Sequence, residues 1–513
     1  MKLIFVFFML VLLLSACRRE PTPQYEDDPA DIEISTEDKP EDYYPNDLPP
    51  EILPEIPPHN DYIISLDINP HTRTVSGMSR VVFTNRSYKP LTQILFSLPH
   101  NAFREDADWR PFFPEHENSI FRHGYAYSKF DILHISINDE LVYYTICGTI
   151  LTIELTQEIL PHETVWIVLQ FYAYIPMIAH RTGANEYAIW FGSFLPMLSF
   201  DGVESHIIGT QLFLETANFI VDITTPAEFI VAGTGLRSEE INVEAETKIT
   251  RFEANLVRDF GFAVSAYFAN EYVFTESGIR ICLYYYSDFE NVARFLEYAR
   301  QIVEYFEYHI GFYPFRSICI IETDMFSPGV ESSGIAFMNS DTIRQPNIPA
   351  LAHTLGRQWF FNIVGYDPIR EAWLGKGITR YLRARFVNDN PEELRVIMER
   401  ERLLIAHRTD LYMTDSSYMY ASWWDFFNTH YRKSMLMFYA LHCIMGDYFW
   451  VFIDRFYHTF FFGIASGEDF MLMAEEVYGE SLEEFFYSWI FSSTVPMLPL
   501  SPSLEDIYED NNT

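Results

Sequence analysis

His353-Thr354-Leu355-Gly356-Arg357-Gln358-Trp359-Phe360-Phe361-Asn362, with Trp373-Leu374-Gly375-Lys376-Gly377 shortly beyond it, is the stretch that decides how the rest of the chain is read. It lies among helical periods. Upstream, Val292, Phe295, Leu296, Ala299, Ile302, Val303 and Phe306 recur on one helix face, which predicts a helix from Asp288 to Ile310 with Asp288 as its cap and Gly311 as its stop. A short strand pattern, Ser317 to Glu322, separates that helix from the quoted stretch, and helical patterns dominate from there to Trp489. Positions 353 and 357 are one turn apart, so in a helix they share a face.

On the amino-terminal side the periodicity is two. Tyr62 to Ile68, Arg80 to Asn85, Thr149 to Leu155, Val165 to Tyr172, Gln211 to Val221, Phe229 to Gly233 and Lys248 to Phe252 all read as strands, separated by Asn, Gly, Pro and Asp turns. This predicts an antiparallel β-sandwich over residues 59–269, followed by a mixed, mainly helical α/β domain over 270–500. Hydrophobic residues at 49% and aromatics at 17% supply apolar surface for both cores. Cys147, Cys282, Cys319 and Cys443 lie in apolar segments with no C-x-x-C spacing, a pattern of buried free thiols.

The first 58 residues read differently. Lys2, the apolar run Leu3 to Leu14, and the ending Leu14-Ser15-Ala16-Cys17 make a secretory leader too short to span a bilayer. The ending resembles the bacterial lipoprotein signal, which implies that Cys17 is lipidated and that the protein is held at the cell membrane, facing the extracytoplasmic side. Residues 18–58 are crowded with Pro, Asp and Glu and predict an extended linker, and 501–513 form an acidic tail. A formal net charge of −37 without a basic stripe excludes nucleic acid as a partner.

The quoted stretch resembles the zinc helix of aminopeptidase-N-like metallopeptidases, H-E-x-x-H-Q-W-F-x-N. Trp373 to Gly377 resembles that family's W-L-N-E-G segment, which brings the third zinc ligand, with no gap needed. Gly329-Val330-Glu331 resembles the G-x-M-E segment whose glutamate grips a substrate's amino terminus, and Tyr431-Arg432-Lys433-Ser434 resembles the Y-x-K-G segment whose tyrosine steadies the tetrahedral intermediate. Gly311 to Phe315, Trp489 to Pro496, and Tyr62 to Asn85 in the sandwich add to the likeness. The resemblance implies a gluzincin architecture, an amino-terminal sandwich followed by a thermolysin-like peptidase domain. It also implies that Gly329, Val330 and Glu331 are substrate-binding positions and that Tyr431 is an inherited catalytic position.

The chemistry, however, has been rewritten. Thr354 replaces the general base, and of the remnant ligand positions His353, Arg357 and Lys376 only the first still carries an imidazole. Arginine stays protonated and offers no lone pair, and a lysine ammonium repels a metal ion. A threonine hydroxyl cannot take the proton of a metal-bound water near neutral pH. Arg383 stands where the family usually has a carboxylate. No zinc or other cofactor is therefore expected, and the chain reads as a pseudoenzyme that binds a peptide or a surface protein. An active zinc aminopeptidase with unusual ligands, a metal-free hydrolase or transferase, and a purely structural component are the alternatives. Two arrangements of the cations are open: pairing with an acid such as Glu331 or Glu371, or solvation in an open cleft.

Overall fold

Alternation builds the amino-terminal half. In Asn60–Asn69 the side chains of Tyr62, Ile64, Leu66 and Ile68 point inward while their neighbours turn outward, and Thr164–Tyr174 repeats this with Val165, Ile167, Leu169, Phe171 and Ala173. The computed structural model describes residues 56–107, 111–199, 212–244 and 246–499. The leader, Cys17, nearly all of the linker, the acidic tail and the start of the strand expected from Gln211 lie outside the described residues. An eight-stranded sheet runs in the order Leu236–Glu244, Thr247–Val257, Ala217–Pro226, Asn60–Asn69, Thr74–Thr84, Thr164–Tyr174, Lys129–Ile137 and Glu140–Leu141. A four-stranded sheet containing Leu91–Ser97 and Ile150–Ile159 shares its core, with Phe96, Leu151 and Ile153 facing Ile167 and Phe171.

The sandwich departs from the purely antiparallel expectation at one pairing. Asn60–Asn69 runs parallel to Ala217–Pro226, placing Tyr62 opposite Phe219, where the two rings stack at 4.8 Å. Cys147 also departs from expectation: it is exposed, because it ends the edge strand Tyr143–Cys147.

The second half opens with a five-stranded sheet ordered Ala269–Phe274, Arg280–Tyr285, Ser317–Thr323, Ile335–Asn339, Gly329–Ser332. Its central strands are parallel and almost continuously apolar, as expected of strands covered on both faces. One cover is the helix Val292–Ile310, which buries Phe295, Leu296, Ala299, Ile302, Val303, Phe306 and Ile310. It starts at Asn291 in the left-handed region, not at Asp288, and ends at Gly311. The other cover comes from the sandwich, through Trp190, Ala232 and Ala263 against Cys319 and Ile321. The site strand Gly329–Ser332 is the edge of this sheet.

Ile167 is fully enclosed between the sandwich sheets. Ile167→Ala is expected to lower the unfolding free energy by about 2–5 kcal/mol, the usual cost of an aliphatic core truncation, measured by urea unfolding.

Candidate functional site

The motif helix spans Ile348–Gly356, opened by the Asn347 side chain, which accepts from the Ala350 N–H at 3.1 Å. It does not continue to Asn362, as the motif alone suggests. Regular helix stops at Gly356, and residues 357–359 turn instead, with Arg357 N–H still bonded to the His353 carbonyl at 3.2 Å. Phe361 then adopts φ +128, a conformation foreign to an aromatic residue. The cause lies in the sandwich. Arg258, fully buried, donates to the carbonyls of Phe361 at 2.7 Å, Ile363 at 3.0 Å and Leu214 at 2.9 Å, so the turn is held from outside. Burial lowers the Arg258 pKa to about 9.

The next residue of the same loop fixes the other wall. The Asp259 carboxylate accepts from Ser332 Oγ at 2.6 Å and Ser333 N–H at 2.7 Å. Gln358 adds to this by donating to the Ser332 and Ile335 carbonyls and accepting from Gly334 N–H. The hairpin that carries Glu331 is thus tied to the motif turn through groups that carry no reaction.

Between these walls Arg357 and Glu331 meet. Nε donates to Glu331 Oε1 at 2.9 Å, Nη1 donates to the Tyr366 hydroxyl, and the guanidinium lies over the Phe361 and Tyr366 rings at 5.2 and 5.6 Å. Arg357 is 1% exposed and Glu331 6%. Of the two acids expected to neutralise the cations, Glu331 makes the pair with Arg357, whereas Glu371 accepts from the Gly467 N–H at 2.7 Å. The solvated arrangement does not occur, because Lys376 is 3% exposed. Its ammonium lies over Phe426 and Tyr431 at 5.7 and 5.8 Å, and burial, reinforced by Arg357, pushes its pKa well below the usual lysine range. Gly375 lets the Tyr366 ring close on this helix: a Cβ there would meet that ring at 2.2 Å.

The remaining expected positions divide. Thr354 donates its hydroxyl to the Ala350 carbonyl at 3.0 Å and fills the space beside Gly329, where a Cβ would lie 2.4 Å from its oxygen. Val330 packs in the core with Cys319 and Phe337, so within this segment only the Glu331 side chain joins the site. His353 is partly exposed and faces the Tyr431 ring at 5.7 Å. Burial, followed by Arg383, Arg357, Arg380 and Lys376, holds it well below its ordinary pKa.

Tyr431 sits in a π-helical segment, Asn428–Lys433, stacked on Phe427 at 5.4 Å. Lys433 anchors that segment by donating to the Leu411 and Ser492 carbonyls at 2.8 and 2.6 Å. Arg181 and Tyr366, which touch Glu331 and Arg357, had no motif to announce them. Arg380 could have been read from its i+4 spacing to Lys376.

These residues do not fit zinc. A catalytic zinc site needs three protein ligands with lone pairs, and the second ligand position is a guanidinium already bound to Glu331. Among the described residues no three His, Cys, Asp or Glu side chains are grouped to hold a metal.

Residues 294–489 match the Peptidase family M1 domain. Endoplasmic reticulum aminopeptidase 2 of Homo sapiens is 26% identical over 135 residues, which cover 24% of this chain and 14% of that protein. The M1 zinc metallopeptidase of Deinococcus radiodurans superposes with a TM-score of 0.67 at 16% identity, over 86% of this chain and 96% of that one. A variant of the same enzyme bound to a Tyr-Ser-Ala substrate gives 0.65 at 15% identity, with the same coverage of both chains. The peptidase-type domain is thus similar to the Peptidase family M1 domain, and the solved M1 metallopeptidases share the chain's two-domain fold.

His430 is completely buried with neither ring nitrogen bonded, and burial, then Lys376, lowers its pKa to about 3. The unfolded chain binds a proton there near pH 6.5 and the folded chain does not, so stability is present above 6.5 and is lost as pH falls toward 3. His430→Phe is expected to flatten that acid-side slope in thermal melts recorded between pH 7 and 4.

Proposed function

We propose that this chain is a non-catalytic relative of the M1 aminopeptidases, held outside the cytoplasm by a lipid on Cys17, that binds a peptide or protein ligand without cleaving it. The observation that carries this reading is the enclosed Arg357–Glu331 pair. The guanidinium takes a metal ligand's position and at the same time occupies the carboxylate that would hold a substrate's amino terminus. The base position adds to this, since the Thr354 proton is committed to its own helix. Recognition of a free amine at Glu331 would have to displace Arg357, so a ligand is held by other groups of the cleft.

The test is zinc content together with hydrolysis of aminoacyl anilides. The protein from Asp61 onward is expected to hold no stoichiometric zinc and to show no turnover when zinc is added. One tightly bound zinc per chain would contradict the reading. Thr354→Glu, Arg357→His and Lys376→Glu combined are expected to recover zinc binding more readily than turnover. Metal ligation tolerates small displacements, whereas catalysis needs base, tyrosine and glutamate within a fraction of an ångström. Each single reversion is expected to recover neither.

A further inference from the structure

Outside the sealed Arg357–Glu331 pair lie further cations. On the helix Ala372–Val387, Lys376, Arg380 and Arg383 follow at i, i+4 and i+7 and share the face turned toward the motif helix. Arg380 stacks on Phe427 at 4.7 Å and lies 3.8 Å from Glu401, a carboxylate it shares with Arg432, which holds Glu401 at 2.7 Å. Three arginines, Arg357, Arg380 and Arg432, therefore share two carboxylates, Glu331 and Glu401, and Arg383 stands beside them.

Arg383 has no ion-pair or hydrogen-bond partner among the described residues. Its Nε is enclosed, as are Arg380 Nε, Arg357 Nη2 and His353 Nδ1, each without an acceptor. An enclosed guanidinium without a counter-charge is strongly unfavourable. In a chain of net charge −37, the acid that acts on Arg383 among the described residues is Glu401, which Arg432 already holds and Arg380 shares, and the positive charge of Arg380 opposes it. His353, Arg380, Arg383 and Tyr431 each keep partial exposure, so a solute can reach these groups although it cannot reach Arg357.

We infer that Arg383 and Arg380, with His353 beside them, form a binding site for a small oxyanion, a carboxylate or a phosphate group. Guanidinium forks match the planar or tetrahedral oxygens of such groups, and the bonds are charge-assisted. The inference rests on the non-catalytic reading of the cleft and gives that reading a ligand class: the site that has lost its cationic metal takes an anion instead.

The probes are inorganic phosphate, N-acetyl-alanyl-alanine with a free carboxylate, and the same peptide as its amide, each titrated at constant ionic strength in chloride by calorimetry and thermal melting. Phosphate, the free-acid peptide, or both are expected to bind one per chain and raise the melting temperature, and the amide is expected to do neither. Which of the two binds identifies the source of the oxyanion. Arg383→Gln is expected to weaken binding at least tenfold and, without anion, to melt no lower than the parent, because it removes an unpartnered cation. If Arg383→Gln fails to fold, Arg380→Gln carries the same tenfold expectation. Silence from both anions, binding of the amide equal to that of the acid, or unaltered affinity in the folded variants overturns the site. The zinc assay is separate: a zinc-free protein that ignores the anions overturns this inference alone, and a zinc-bound one overturns the reading beneath it.

Discussion

The buried ion pair between Arg357 and Glu331 is the constraint to which the rest of the site is fitted. Taking a guanidinium and a carboxylate out of water costs several kcal/mol per ion, and close contact with further hydrogen bonds is needed to offset it. The structure supplies both, with Nε on the carboxylate at 2.9 Å and Nη1 on Tyr366, and it seals the pair beneath the Phe361 and Tyr366 rings. Once this pair forms, both of its members are committed to each other. The Arg357 guanidinium offers no lone pair to a metal, and the Glu331 carboxylate is bonded to a cation belonging to the chain itself.

The geometry of the pair is imposed from the sandwich. Arg258 and Asp259, adjacent in one loop, hold the two walls: Arg258 grips the turn after Arg357 through backbone carbonyls, and Asp259 grips the hairpin after Glu331. The left-handed Phe361 is the local cost of that grip, and an outlier of this kind persists only where surrounding contacts over-determine it. The sandwich is therefore part of the site: it holds both walls, and its Arg181 donates to the Glu331 carbonyl. Its own core is fed by alternating strands such as Asn60–Asn69 and Thr164–Tyr174.

How much of this was legible in the sequence depends on the range of the interaction. Strands with clean alternation, such as Tyr62 to Ile68, announced themselves, and their observed ends lie a residue or two further out. Lys129–Ile137 and Leu236–Glu244 were missed, since the first alternates poorly and the second carries Glu239 and Glu240 in succession. The helix Val292–Ile310 was legible because all seven of its buried residues follow one face, yet its start was misplaced by the left-handed Asn291. At the site, the motif spacing named Glu331 as a possible counter-charge for the cations, but the spacing could not choose between it and Glu371. That choice is made in space, by a Gly467 amide that claims Glu371. The early end of the motif helix was illegible, because its cause is an arginine some hundred residues away in the chain.

The most direct measurement of the central interaction is a double-mutant cycle on the pair, using Glu331→Gln, Arg357→Gln and the combined change, with unfolding free energies from denaturant titration. If the two charges are buried against one another, each single change is expected to cost about 3–5 kcal/mol, by stranding the other charge, and the double change far less than the sum of the two. Additive losses, with a coupling energy near zero, would mean that Arg357 and Glu331 do not hold each other, and the account of this site as one closed by its own ion pair would be wrong.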